Sequence, residues 1–411
     1  DVDSLLSIHN EVTCTGLLKK DAFLSNALVD VYAKCGFLLK SQEVFDKIPI
    51  RDVVSWTTLI TGYAEHQYYK QALECFEQMQ LEGISPDPVT FICMLCVCSS
   101  LGDTDKAHRI HAEIEGKGFL EKDLVLGNTL INTYAKLGLL MVAQYVFDCL
   151  QTHDGVSWTT LIVGYAENAH GEEAVNCFEH MKLQGIFPDP ISLICILKTC
   201  GSIGATEKGQ SVHTEIVRRG LLENENTIGN ALVGMYAVLG MLGEAQGMFD
   251  KLQVKEVVSW NELIEGYTEY GHDCVALYAF EQMQLECILP DGGTLLSIFK
   301  SCTSLGAFKE GQLLHAQIVN EVSLETDIKI ATALVDMYGK FGALVKAQEV
   351  FDRLETKNVV SWNALIAGYS QYELGDKALN CFEKMKLCDS NPDELTFLSI
   401  LKACGSIGAL V

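Results

Sequence analysis

The sequence predicts an all-α solenoid of stacked helix-turn-helix units, on three observations. A Ser-Trp pair recurs at Ser55-Trp56, Ser157-Trp158, Ser259-Trp260 and Ser361-Trp362, always 102 residues apart. Apolar residues around each pair fall at helical period. Each copy then closes on helix-stopping residues. A fixed period without insertions over four copies marks an array, in which a helix pair buries its apolar faces only against its neighbours.

The copy at 52–86, DVVSWTTLITGYAEHQYYKQALECFEQMQLEGISP, reads as two helices. Trp56, Leu59, Ile60, Tyr63 and Ala64 make one stripe at i, i+3, i+4, i+7 and i+8. The polar run AEHQYYKQ interrupts the pattern, and Ala72, Cys75, Phe76 and Met79 form a second stripe. Gly83 and Pro86 end the unit. Pro188, Pro290 and Pro392 stand at the same register, as do Gly164, Gly266 and Gly368 for Gly62.

The 102-residue period divides into three unlike units. Units of 31 residues occupy 21–51, 123–153, 225–255 and 327–357. The Trp-bearing units of 35 residues occupy 52–86, 154–188, 256–290 and 358–392. Units of 36 residues occupy 87–122, 189–224 and 291–326. Residues 1–20 match only the second helix of a 36-residue unit and 393–411 only the first. No capping helix is visible, so the flanking helices are expected to be the least ordered part. The chain begins at Asp1 with no start methionine or targeting segment, which reads as a segment of a longer protein.

Composition narrows the function classes. A content of 48% hydrophobic and 20% charged residues suits an ordered helical protein. No apolar run reaches the roughly 18–20 residues of a membrane span; the longest, 91–98, is expected to be a buried helix. The net charge of −24 argues against partners held by bulk electrostatics, including DNA and anionic membranes. Of the 16 cysteines, Cys98, Cys200, Cys302 and Cys404 are again 102 apart. Equivalent positions in successive blocks are too distant for the roughly 4.4–6.8 Å Cα separation of a disulfide. The cysteines are therefore expected to be small core residues in a reducing compartment.

No enzyme is legible. His9-Asn-Glu11, His111-Ala-Glu113 and His213-Thr-Glu215 match the H-x-E of zinc deaminases, but no Pro-Cys supplies the remaining ligands. With His315 they occupy one repeated register and cannot converge on a metal. Cys93-Met-Leu-Cys96 has no second pair, and neither a G-x-S-x-G elbow nor a phosphate loop is present. No catalytic residue, metal or cofactor is expected.

Restricted variation points to function instead. The residue after Trp is Thr57, Thr159, Asn261 or Asn363, and its counterpart in the 31-residue units is Asn26, Asn128, Asn230 or Thr332. All sit on the first turn of a first helix by this reading. Helix capping would explain Asn and Thr there, but it would also admit Ser and Asp.

The alternation of unit lengths resembles the pentatricopeptide repeat family, specifically its plant PLS class. VVSWNALIAGYSQ (359–371) carries the P type, NALVDVYAKCG (26–36) the S type, and LKTCGSIGATEKGQSVHTEIVRRG (197–220) the L type. Tetratricopeptide arrays are excluded by their 34-residue period and W-x₂-L-G-x₂-Y signature, both missing here. The resemblance implies a right-handed α-solenoid that binds single-stranded RNA, one base per unit. In this family, counting from Val53 and its equivalents, the fifth residue of a unit faces the base, and the last residue, just before the next unit's first helix, assists it. That pairs Asn26 with Asp52, Thr57 with Asp87, Asn128 with Asp154, and Thr159 with Asp189. It also pairs Asn230 with Glu256, Asn261 with Asp291, Thr332 with Asn358, and Asn363 with Asp393. Family usage assigns Asn/Asp to U, Thr/Asp to G and Thr/Asn to A; Asn230/Glu256 departs from it and implies a loose pyrimidine preference.

The resemblance also implies that Val54, Val156, Val258 and Val360 sandwich bases, where plain helix packing is the alternative. It places phosphate-contacting lysines at Lys34, Lys136 and Lys340, a set that Val238 breaks. Ile92, Ile194 and Leu296 hold the fifth position of the 36-residue units and cannot hydrogen-bond a base. They read as spacers or as docking sites for multiple organellar RNA editing factor proteins. Arrays of this class direct C-to-U editing or other RNA processing in the mitochondrion or chloroplast, with a C-terminal extension or deaminase domain expected beyond Val411. A helical scaffold binding peptide or protein partners in a concave groove is the rival reading, and the acidic charge favours it.

Overall fold

The structure, a computed structural model, describes residues 9–14, 22–223, 225–318, 327–388 and 390–406. The expectation for the two chain ends falls largely on 1–8 and 407–411, outside the described residues. Among the described residues every regular element is helical. The chain divides into two compact bodies, 1–199 and 200–411.

In the first body, helical hairpins follow one another. Ala22–Lys34 pairs with Leu38–Asp46, Val53–Glu65 with Tyr69–Leu81, and Pro88–Leu101 with Thr104–Gly116. Leu124–Lys136 then pairs with Leu140–Cys149, and Gly155–Glu167 with Gly171–Leu183. The second body repeats the scheme. Asn226–Val238 pairs with Leu242–Lys251, Val257–Glu269 with Asp273–Leu285, and Gly292–Leu305 with Phe308–Ile318. Ile328–Lys340 and Leu344–Arg353 follow, then Val359–Gln371 and Gly375–Leu387. Within each body, first helices pack against the first helices of neighbouring hairpins.

The predicted stripes form the core. Trp56, Leu59, Ile60, Ala72, Phe76 and Met79 are all buried, while Cys75 is half-buried. Each tryptophan meets the phenylalanine of the preceding hairpin edge to face. The ring centroids of Phe45 and Trp56 lie 4.7 Å apart, and those of Phe249 and Trp260 4.5 Å. The repeated Gly-Tyr explains itself here. A Cβ on Gly164 would sit 2.7 Å from Ala135 Cβ, and one on Gly368 3.0 Å from Gly339 Cα, so only glycine lets successive first helices come this close.

Polar side chains tie the hairpins together at fixed registers. Tyr165 Oη donates to Gln144 Oε1 (2.9 Å), whose amide donates to Asp148 (2.8 Å); the same chain joins Tyr267, Gln246 and Asp250. The H-x-E histidines are structural too. His111 bonds Tyr134 Oη at 3.0 Å, and His9, His213 and His315 bond Tyr32, Tyr236 and Tyr338 at 2.7 Å. Each joins a second helix of the 36-residue type to the next hairpin.

One expectation needs correction. All 16 cysteines are free thiols, yet only Cys98, Cys200, Cys302 and Cys381 are buried. Cys14, Cys35, Cys96, Cys149, Cys274, Cys287 and Cys388 are exposed; they stand outside the register of Cys98, Cys200 and Cys302, which alone carried the core reading. Burial pushes the Cys98 thiol up to about 12, which makes it inert. The run at 91–98 is largely buried as expected: Phe91, Met94, Leu95, Val97 and Cys98 are buried, and Cys96 is exposed. No helix among the described residues is long and apolar enough to cross a membrane.

Candidate nucleic-acid interface

The first helices begin on residues that both cap and reach sideways. Asp52, Asp154 and Asn358 accept from the backbone N–H of Ser55, Ser157 and Ser361, each at 2.8 Å. Asp87, Asp189, Asp291 and Asp393 do the same for Thr90, Ser192, Thr294 and Thr396. Capping therefore belongs to the residue that closes the preceding unit. The Asn or Thr position is the fifth residue of its helix, at the start of the second turn, and is not itself a cap.

The side chain of that fifth residue crosses to the next helix start. Asn261 Nδ2 donates to Asp291 Oδ1 at 2.8 Å, and Asn363 Nδ2 to Asp393 Oδ1 at 2.8 Å. Thr159 Oγ1 donates to Asp189 Oδ1 at 3.3 Å. Asn26 and Asn128 act on Asp52 and Asp154 and help to lower their carboxyl values. The directly bonded partners, 30 residues apart in sequence, are thus brought together three times. Thr57 reaches its partner through an intermediary: its hydroxyl is 2.6 Å from that of Thr90, which in turn donates to Asp87 at 2.7 Å.

Two pairs are not joined. Thr332 turns its hydroxyl back to the Ile328 carbonyl at 2.6 Å, although it and Asn358 line one groove of about 690 Å³ with Val360 and Asn363. No hydrogen bond links Asn230 to Glu256, whose backbone instead exchanges hydrogen bonds with the Ser259 hydroxyl. Asn26, Asn128 and Asn230 each leave Oδ1 buried without a hydrogen-bond partner, an unusual state for a buried acceptor.

The aspartates are held ionised. The Ser55 backbone N–H is the largest influence on Asp52 and keeps its carboxyl below the usual range, aided by Asn26. At Asp154 and Asp291 burial opposes ionisation, but the cap N–H, the Ser or Thr hydroxyl and the Asn amide together outweigh it. Lowered carboxyl values mean that these contacts persist at neutral pH and are lost only as pH falls through the folded-state value.

The second residue of each first helix faces solvent. Val54 is 52% exposed, Val156 57%, Val258 53% and Val360 61%, so helix packing does not account for them. The same column holds exposed Phe23, Val89, Val125 and Ile191 in the first body and Leu395 in the second. Sequence reading singled out only the Trp-bearing units, since an exposed apolar residue beside a buried stripe carries no separate periodic signal.

The lysines differ from one another. Lys34 and Lys340 each pair with a carboxylate one turn back on their own helix, Asp30 and Asp336, at 2.8 Å. Lys136 is exposed and has Asn132 at that place. Ile92, Ile194 and Leu296 are half-buried in the same seam. Among the described residues no group of three or more His, Cys, Asp or Glu could hold a metal ion.

Helical hairpins of about 31–36 residues, stacked through their first helices, define a helical-repeat protein. The PPR repeat family model matches residues 51–100, 153–202 and 357–406, and the PPR repeat model matches 23–53, 89–119, 230–257 and 330–359. The chain belongs to the pentatricopeptide repeat family. The chloroplastic pentatricopeptide repeat-containing protein At1g11290 of Arabidopsis thaliana is 33% identical over 96% of this chain and 49% of its own length. The mitochondrial At2g03380 of the same plant is 33% identical over 99% of this chain and 59% of its own length. The chain thus spans about half the length of these relatives. Among solved structures, the pentatricopeptide repeat protein PPR10 in complex with an 18-nt psaJ RNA element aligns with a TM-score of 0.75. It shares 19% identity and covers 95% of this chain and 60% of PPR10, a likeness of fold.

Proposed function

We propose that this chain is the sequence-specific, single-stranded RNA-reading array of an organellar PLS-class protein. One unit faces one base, from 5′ to 3′ along the chain. The observation that carries the reading is the repeated bridge between a fifth residue and the ionised cap of the next unit.

That bridge gives the readout a polarity. An ionised aspartate accepts only, so it takes the Asn amide N–H or the Thr hydroxyl proton and leaves an oxygen for the base. An oxygen acceptor suits a base edge that offers a ring N–H, as U and G do, and disfavours the unprotonated ring nitrogen of A and C. Asn358 carries no charge and can itself donate, which suits A opposite Thr332. The exposed valines supply apolar walls against which bases stack. The units at 87–122, 189–224 and 291–326 have no hydrogen-bonding fifth residue and act as spacers. We further propose that Ile92, Ile194 and Leu296 mark where multiple organellar RNA editing factor proteins dock; adding such a protein should then raise RNA affinity, and no change would count against it.

The full-length protein would direct C-to-U editing or processing of transcripts in the mitochondrion or chloroplast. Crosslinking the full-length protein to RNA in the organelle should recover sites with the pattern U-G-n-U-G-n-Y-U-n-A-U. Because Lys34, Lys136 and Lys340 alone are placed for phosphate, log K should fall with log salt at a slope of about −2 or shallower, at ~0.7 per phosphate. A steep slope with scattered footprints would indicate non-specific binding. A peptide scaffold, the reading the −24 charge favours, would leave no RNA footprint at all.

A further inference from the structure

The third 102-residue block departs from its siblings at several independent positions that converge on one wall of the groove. At the register of Lys34, Lys136 and Lys340 it carries Val238, and at that of Asp30, Asn132 and Asp336 it carries Gly234. Glu262 replaces Thr58, Thr160 and Ala364 of the other Trp-bearing units, and Glu265 replaces Thr61, Val163 and Ala367. Glu256 stands where the others have Asp or Asn. In the exposed apolar column, Thr227 and Gly293 take the places of Val125 and Ile191.

These changes fit together in space. Val238, Glu262, Glu265, Glu269 and Tyr270 line one groove of about 360 Å³. A Cβ on Gly234 would collide with the Glu262 carboxylate, so the glycine makes room for the acid. Lys300 is 3.3 Å from Glu269. A phosphate following the groove here would meet carboxylates where the sibling block at 123–188 offers Lys136, Thr160 and Val163. A base opposite Asn230 would meet Thr227 on one side instead of an apolar wall, and an amide that no carboxylate holds.

We propose that the unit at 225–255, with the acidic wall beside it, is a built-in break in the RNA tract, at which the strand is neither wedged nor gripped and its nucleotide is accepted whatever its base. This rests on the RNA-reading function above. The repulsion also pushes the backbone away from the wall, so an extra nucleotide is accommodated there at little cost.

The test titrates the whole chain with labelled 11-mers of the pattern given above, using anisotropy. An abasic residue at the seventh position, opposite 225–255, should weaken binding less than about twofold, whereas one at the fourth, opposite Asn128, should cost about tenfold or more. One inserted uridine after the seventh base should be tolerated, and one after the fourth should not. The variant V238K/E256D/E262T/E265V, which rebuilds the sibling wall, should bind the 11-mer more tightly and become sensitive to the seventh base. Equal losses at the two abasic positions would overturn the break. So would an unchanged response in a variant that melts like the parent. Failure of the parent 11-mer to bind would instead strike the RNA reading. Saturable binding of a Lys/Arg-rich peptide that RNA does not displace would overturn the break in favour of a peptide site.

Discussion

Replacing Thr159 by Asn while Asp189 is kept is expected to move the preferred fifth base from G to U. The threonine hydroxyl now reaches Asp189 Oδ1 at 3.3 Å. Asparagine is longer, and at the equivalent places Asn261 and Asn363 reach their aspartates at 2.8 Å. The amide would dock on Asp189 in the same way and present its oxygen further out into the groove. The space left then suits a pyrimidine carrying a ring N–H in place of a purine carrying one. By analogy with base-edge readout in DNA, the switch should be worth about 1–3 kcal/mol, roughly a 5- to 150-fold change in the G:U preference. Asp189→Ala should reduce discrimination between all bases at that position, because the hydroxyl or amide loses its fixed polarity. Titrations of wild type and T159N with G5 and U5 RNAs check both expectations.

The largest stability effect is expected at Trp158. Its ring is 4% exposed and packs edge to face on Phe147 at 4.7 Å, with His153 stacked on the phenylalanine at 4.1 Å and 6.0 Å from the tryptophan. Trp158→Ala leaves a cavity between two hairpins and should cost about 3–5 kcal/mol. In a repeat array that loss is local, so a chemical-denaturation curve should broaden or split instead of shifting as a whole. Val156, two residues away, is the control. It is 57% exposed, so Val156→Ala should change stability by less than about 0.5 kcal/mol while weakening RNA binding. Equal destabilisation by the two substitutions would mean that Val156 packs in the core and does not wall a base.

What was legible in the sequence follows from which forces are periodic. The apolar stripe of Trp56, Leu59, Ile60 and Tyr63 repeats at helical spacing because burial demands it, so helices and their succession could be read directly. The pairing of Asn261 with Asp291 follows from the family resemblance and not from the 102-residue register, which shows only that each position recurs. Depth was not legible: Cys98 is buried and Cys96 exposed, two residues apart in one apolar run. Nor was hydrogen-bond direction. Thr332 and Thr159 stand at the same register, yet one hydroxyl turns to the Ile328 carbonyl and the other to Asp189. Capping, the alternative explanation for Asn and Thr, does not hold because the cap is the residue five positions upstream. The ion pairs of Lys34 and Lys340 with Asp30 and Asp336 were present as i, i+4 spacing and were overlooked in favour of a phosphate role.

The central claim is that the joined pairs read bases one by one. It is tested most directly by titrating the chain with the 11-mer U-G-n-U-G-n-Y-U-n-A-U, a scrambled 11-mer of the same composition, and the G5U variant. The account predicts tightest binding to the first, a loss of about 1–3 kcal/mol for the single change at the fifth base, and a larger loss for the scramble. Equal affinity for all three would contradict it and leave the protein-scaffold reading in its place.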